Sequence, residues 1–354
     1  MNAPQKAAFA IPGDIETLTG GYIYEHRLLT GLRAQGRDVQ HVQLPDGFPE
    51  VGARRMRQAV ARLQRVEPER ALILDGLVFG SIETAGLASL RAPVVAMIHH
   101  PLAMESGLDP ARRDHLFATE RDNLRLARHV LVPSPHTRDL LTSRYEVAPE
   151  RITIARPGVD PPRLAPAPVA PPMILSVGIL HRRKGHDLLI RALAGLSDLD
   201  WQAVIIGNPR DRAHAGALRQ QIRASGLGER LHLAGRVSTG DLHRHYAAAS
   251  VFALATRYEG YGIVFDEALS YGLPIVSCAT GAVPQTVPPG TGLLVPPEDS
   301  AAFEGALRRM LTDATLRRDC AATAVRTGRR LPGWSQTAAT AGAALDRIRP
   351  PSAA

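Results

Sequence analysis

The sequence predicts an α/β protein made of two Rossmann-like parallel-sheet domains, and three observations carry that expectation. Short apolar runs at 7–11, 71–75, 94–98, 173–177 and 251–255 alternate with segments that are apolar at helical spacing. Strands buried on both faces, joined by crossover helices, produce that pattern. A proline-dense stretch from Pro161 to Pro172 suits neither a helix nor a central strand, and reads as a semi-extended linker. A chain of 354 residues is long enough for two domains that each bury a core. The expected division is 1–160, the linker 161–172, a second domain 173–333, and a last helix in 334–354.

Composition narrows the function classes. Hydrophobic content of 45% with 21% charged residues is that of a globular protein. The two cysteines, Cys278 and Cys320, have no paired metal spacing and offer no disulfide framework, which fits a reducing cytoplasm. The start reads as too short an apolar run for a signal peptide, and no stretch reaches the roughly 18 apolar residues of a membrane span. A net charge of +8 points to an anionic partner. Nucleic acid is disfavoured, because aromatics are 5% and no basic, aromatic-interleaved strand is present. Anionic small molecules and an anionic membrane surface remain, the latter motivated by arginine-rich helical stretches at 54–65 and 112–128.

In chain order, Ala7–Ile11 is the first strand, followed by Gly20 and Gly21 in a loop. A helix from about Tyr22 to Gln35 carries Leu28, Leu29 and Leu32 on one face. Strands at 39–44, 71–75 and 94–98 follow. The last of these ends in His99 and His100, which places a histidine beyond the carboxyl end of a parallel strand, where such sheets bind ligands. Strands at 130–134 and 152–155 close the first half. In the second half, the strand ending at Val177 leads into the loop Gly178–Gly185, with Arg182, Arg183 and Lys184 just before a helix. Cations there reach the same anion as the helix N-terminus. Strands at 201–207 and 231–237 come next. The pair Asp198 and Asp200 precedes a strand, at the wrong end of the sheet for a ligand, and is assigned to a loop.

The most informative stretch is Thr256–Pro274. A buried strand at 251–255 precedes it, and Gly260 and Gly262 then allow close backbone approach to a ligand. A helix from Ile263 to Tyr271 points its free N–H groups at that place. Glu259 lies on the loop and Glu267 eight positions on, one turn into the helix. A phosphate suits the helix end and hydroxyls suit the carboxylates, a combination that describes a sugar nucleotide.

This stretch resembles the signature of the family 4 retaining glycosyltransferases, which have the two-domain GT-B architecture with Rossmann-like domains facing a cleft. The resemblance covers nearly the whole chain. It implies that Glu267 holds the ribose of the donor, that Glu259 lies by the donor sugar, and that Gly260, Tyr261, Gly262, Ile263 and Val264 line the donor site. It further implies that Gly20 and Gly21 approach the donor phosphate, that Val237 meets the base through its backbone, and that His99 lies near the sugar. The family clamps the diphosphate with an arginine and a lysine. Lys184 and Gly185 match that loop, but Ile179 stands at the usual arginine position, so a neighbouring arginine must substitute. Successive side chains of an extended loop point apart, which favours Arg182 over Arg183. The helix after Trp334 resembles one that crosses back to the first domain.

The expected function is a retaining transfer of sugar from a nucleoside-diphosphate sugar to a glycan or lipid-linked acceptor. The setting would be cell-envelope or exopolysaccharide synthesis, with no cofactor and no metal. The absence of metal is argued from cations and helix ends that neutralise the leaving diphosphate, and from the lack of a carboxylate pair at the ligand edge of a sheet. Rival readings on the same architecture are a nucleotide-sugar epimerase or phosphorylase, and a basic binding protein without turnover. Donor hydrolysis separates enzyme from binder, and acceptor-independent turnover marks the epimerase.

Overall fold

The computed structural model of the chain describes residues 4–348. Residues 1–3 and 349–354, the outer ends of the expected first domain and last helix, lie outside the described residues. The chain forms two compact units. One comprises the residues up to Gly158 together with Pro332 and those that follow; the other runs from Val159 to Leu331.

The first unit holds β1 (Ala7–Pro12), β2 (Val39–Leu44), β3 (Ala71–Asp75), β4 (Val94–Met97), β5 (His129–Val132) and β6 (Ile152–Ile154). They form one parallel six-stranded sheet in the order β2-β1-β3-β4-β5-β6. Central β1 and β3 are buried at every position, as their apolar runs require, with Asp75 the charged residue that ends β3, whereas edge strand β2 carries exposed Gln40 and Gln43. The second unit holds β7 (Met173–Val177), β8 (Gln202–Ile206), β9 (Leu231–Gly235), β10 (Val251–Leu254), β11 (Ile275–Cys278) and β12 (Gly292–Val295). These also form a parallel six-stranded sheet, ordered β12-β11-β10-β7-β8-β9.

In each sheet the strand order reverses direction once, between β1 and β3 in the first unit and between β10 and β7 in the second. Loops leaving the carboxyl ends of the strands at such a reversal diverge, and leave room for a ligand.

Three local features differ from the sequence expectation. Gly20 and Gly21 do not form a loop; they open the helix Gly20–Ala34, whose N-cap Thr19 accepts from Tyr22 N. The arginine-rich helices end at Leu63 and Leu126, so Arg65 and Arg128 lie beyond them. The stretch 161–172 forms no helix or strand, but it is tied to the second unit: Ala167 N and Val169 N donate to the Ala247 and Ala248 carbonyls at 2.7 and 3.1 Å. The helix Trp334–Leu345 packs on Gly20–Ala34 within the first unit. Its end is held there by the 2.8 Å ion pair of Arg37 with Asp346.

Candidate active site

The second unit builds its site from the two loops that leave β7 and β10. After β7, residues Arg182–Lys184 make a single 3₁₀ turn, and Gly185 follows in the left-handed region at φ 64°. A Cβ at Gly185 would lie 1.8 Å from the Ala255 carbonyl oxygen, so only glycine fits. That contact seats one loop on the other, and Arg183 O accepts from Arg257 N at 2.8 Å and Thr256 Oγ1 at 3.1 Å.

Glu259 is the centre of this junction. It is 4% exposed. Its Oε1 accepts from Lys184 Nζ at 2.6 Å and from Thr256 Oγ1 at 2.9 Å, while Arg183 Nη1 lies 3.5 Å from Oε2. Arg183 also donates to the Tyr258 carbonyl at 2.9 Å. Burial pushes the Glu259 carboxyl up, but Lys184 and Arg183, with the hydrogen bonds from Lys184 and Thr256, outweigh it and hold the group below the usual carboxylate range. The result is an ionised carboxylate between two cations.

The expected preference for Arg182 over Arg183 assumed an extended loop. The segment is a 3₁₀ turn and not an extended strand, so the alternation argument does not apply. Arg183 joins Lys184 at Glu259, whereas Arg182 is exposed and contributes its carbonyl, which accepts from Arg257 Nη1 at 2.5 Å. Arg257 itself is bound by Asp187, at 2.8 and 2.9 Å, and by Glu298. Sequence reading missed Thr256, Arg257 and Asp187. Their contacts are long-range, and their residue types occur on any protein surface.

At the other end of the loop, Gly262 has φ 91° and starts the helix Ile263–Ser270. Ile263 and Val264 occupy its first turn, half-buried, and Gly260 is buried. Tyr261 is turned inward, its hydroxyl hydrogen-bonded to buried Asp266. Glu267 is half-buried, and Oε2 accepts from the Tyr246 hydroxyl at 2.7 Å. Tyr246 is held by stacking on Phe252 and Tyr271. Burial raises the Glu267 carboxyl to about 7, the Tyr246 hydrogen bond opposing it. Val237 lies past the end of β9. Asp198 is paired with Arg308 at 2.6 Å, before β8, as a loop residue.

The first unit carries a second cluster. His99, half-buried beyond β4, meets Glu25 of the helix Gly20–Ala34 at 3.4 Å (Nε2 to Oε1) and has the Tyr24 ring edge-on at 5.2 Å. Gly21 lies against the same imidazole. His100 is 3.6 Å from Glu105. Asp75 ends β3 and caps the next turn, with Oδ1 accepting from Leu77 N and Val78 N at 2.9 and 3.2 Å. Among the described residues, Glu25, Asp75 and His99 bring ligand-type atoms within 4.8 Å of one another. The expected lack of a carboxylate pair at the ligand edge of a sheet is therefore overturned: Glu25 and Asp75 are such a pair. The pairing needs the helix register as well as the strand end, and only the strand end was readable. The placement that singled out His99 applies equally to Asp75.

Comparison with known proteins bears on the family. Residues 165–327 match the model for glycosyl transferases group 1, and residues 23–163 match that for Glycosyltransferase Family 4. Both halves of the chain thus match glycosyltransferase families. D-inositol 3-phosphate glycosyltransferase of Kineococcus radiotolerans is 31% identical over 56% of this chain and 52% of its own length. The GDP-mannose-dependent alpha-(1-6)-phosphatidylinositol monomannoside mannosyltransferase of Mycobacterium tuberculosis is 31% identical over 51% of each chain. The match thus spans about half the length of these curated relatives. Sucrose-phosphate synthase from Thermosynechococcus elongatus superimposes with a TM-score of 0.81 at 20% identity, over 96% of this chain and 98% of that one. The likeness establishes the GT-B fold for the two sheets.

Proposed function

We propose that the chain is a retaining glycosyltransferase that moves a sugar from a nucleoside-diphosphate sugar to an acceptor hydroxyl, in cell-envelope or exopolysaccharide synthesis in the cytoplasm. The observation that carries the reading is the Glu259–Lys184–Arg183 cluster at the strand-order reversal between β10 and β7. Breaking the bond between the sugar and the diphosphate leaves negative charge on the leaving group. Two cations already fixed by a carboxylate stabilise that charge without reorganising. Lys184 and Arg183 take the diphosphate, Glu259 stays ionised beside the electron-poor sugar carbon, and Glu267 accepts from the ribose hydroxyls through the oxygen that Tyr246 leaves free. Gly260, Gly262, Ile263 and Val264 bring backbone to the donor, and Val237 meets the base. His99, with Gly21 against it, serves the transfer, and Gly20 and Gly21 approach the donor phosphate. The diphosphate is neutralised by these side chains, so no metal is assigned to the step.

The inositol and phosphatidylinositol named for the two relatives fit a lipid-linked or cyclitol acceptor here. A peripheral contact with anionic lipid belongs to the same reading. Met56, Ala59 and Leu63 bury one face of the helix Ala53–Leu63, and Arg54 and Arg57 stand exposed on the other. By contrast, Arg112, Arg121 and Arg125 of the second basic helix are ion-paired. No described helix is long and apolar enough to cross a membrane.

A panel of nucleoside-diphosphate sugars tests the proposal by ligand-induced thermal shift, since a ligand that binds the native state raises its midpoint. Lipid and glycan acceptors are then added to the donor that binds. Acceptor-dependent release of nucleoside diphosphate is expected; turnover of donor without acceptor into an isomeric sugar nucleotide would replace the reading by an epimerase.

A further inference from the structure

We propose that Glu25 and Asp75 are positioning residues for His99: the two carboxyl groups share one proton, and Glu25 accepts from His99 Nε2–H, so that Nδ1 is left as the basic atom of the imidazole. The proposal rests on the reading that His99 serves the transfer, and goes beyond it by naming the groups that set its tautomer.

The geometry comes first. Glu25 and Asp75 are 1% and 4% exposed, and the His99 side chain is 23% exposed, so the cluster opens outward only at the imidazole. Asp75 Oδ1 is occupied by two backbone donors. Ligand-type atoms of Glu25, Asp75 and His99 lie within 4.8 Å of one another, and two buried carboxyl groups that close cannot both stay ionised, so the pair holds a proton. Glu25 Oε1 faces His99 Nε2 at 3.4 Å, a long contact of the kind that tightens when a substrate closes on it.

The charges agree with this arrangement. Burial, offset by the Asp75 hydrogen bond, raises Glu25 to about 7. Burial and then the Glu25 charge hold Asp75 well above the usual carboxylate range. Burial lowers His99, with Asp75 opposing it. Near neutral pH the pair therefore carries a proton and the imidazole is uncharged, with a single N–H to place. Of its two nitrogens, Nε2 faces the carboxylate, and which nitrogen carries the proton follows from the bond that orients it.

The surrounding elements hold the ring and do not compete for Nε2. Tyr24 stands edge-on to it and spends its hydroxyl on the Ala155 carbonyl at 2.7 Å. Trp334 backs Tyr24 at 5.9 Å. Thr137 Oγ1, 3.4 Å from the His99 carbonyl, steadies the backbone, and neighbouring His100 faces Glu105.

Nitrogen-15 NMR of histidine-labelled full-length protein tests the assignment, with the His99 signals identified by their loss in His99→Gln. In the wild type, His99 is expected as one neutral tautomer protonated at Nε2. In Glu25→Ala it becomes a mixture, and kcat falls about tenfold with donor KM unchanged. Asp75→Asn, which keeps the helix cap, is expected to retain the tautomer and shift the alkaline side of the kcat–pH profile. A wild-type tautomer protonated at Nδ1, or one unmoved in a folded Glu25→Ala protein, overturns the proposal. So does stoichiometric Mn²⁺ binding that Glu25→Ala abolishes, because a cation would then occupy the place of the proton. If the tautomer moves as expected but His99→Gln turns over at the wild-type rate, the hydrogen-bond assignment stands, and the reading of His99 as part of the transfer is what fails.

Discussion

Lys184 Nζ donates to Glu259 Oε1 across 2.6 Å, joining loops whose residues lie 75 positions apart in the chain. The ammonium is 12% exposed and the carboxylate 5%, so neither charge is screened as a surface pair would be. Leaving one of two such partners alone costs more than the pair itself contributes. The expected effects of substitution at this junction follow from that asymmetry.

Arg183→Ala is expected to lower kcat/KM by about 2–4 kcal/mol in transition-state stabilisation, the worth of a fixed donor to a developing oxyanion. Arg182→Ala, at an exposed position, should change it by less than about 0.5 kcal/mol. Steady-state kinetics of the two variants side by side decide the matter. A deficit confined to Arg182→Ala would return the role to the residue that sequence reasoning preferred.

Glu267→Ala should weaken donor binding by about 1.5–3 kcal/mol, the value of hydrogen bonds to a charged acceptor. Glu259→Ala should depress kcat more than affinity. Because Glu267 gains its proton near pH 7, wild-type donor affinity should fall as the pH drops through that value, and the pH dependence should be absent in Glu267→Ala. Calorimetry across pH 5.5–8.5, a window of about three units, measures both; equal affinity in the two proteins would remove the ribose assignment.

A buried acid away from the sites gives a stability prediction. Glu120 is fully buried, with Oε2 accepting from Leu102 N at 3.1 Å. Burial raises its carboxyl from 4.5 to about 8, while the hydrogen bond from Leu102 N pulls the other way. The folded state therefore holds a proton that the unfolded state has lost between these values, and stability declines as pH rises through the window. Glu120→Gln should flatten that decline by on the order of 5 kcal/mol. Urea titrations of both proteins at pH 4 and pH 8.5, each about half a unit outside the window, report it, and parallel curves would refute the assignment.

Turnover should survive chelation, since the leaving diphosphate is met by Lys184 and Arg183. Assays after exhaustive EDTA treatment are expected to match untreated enzyme. Loss of activity restored by Mg²⁺ or Mn²⁺ would direct attention to Glu25, Asp75 and His99, whose ligand-type atoms are the ones gathered in the described structure.

The sequence by itself determined the two parallel sheets, the strand–glycine loop–helix unit around Glu259 and Glu267, and the basic turn before His186. These are legible because a strand buried on both faces is predominantly apolar, and because a backbone at positive φ, as at Gly185 and Gly262, favours glycine. Only the tertiary structure decided which arginine faces Glu259, since a 3₁₀ turn and an extended loop read alike over three basic residues. It alone paired Tyr246 with Glu267 and Glu25 with Asp75. The physical reason is common to both: a side-chain hydrogen bond between distant elements depends on how a helix is rotated against its sheet, and apolar periodicity specifies the buried face without specifying which polar residue at its margin meets which partner.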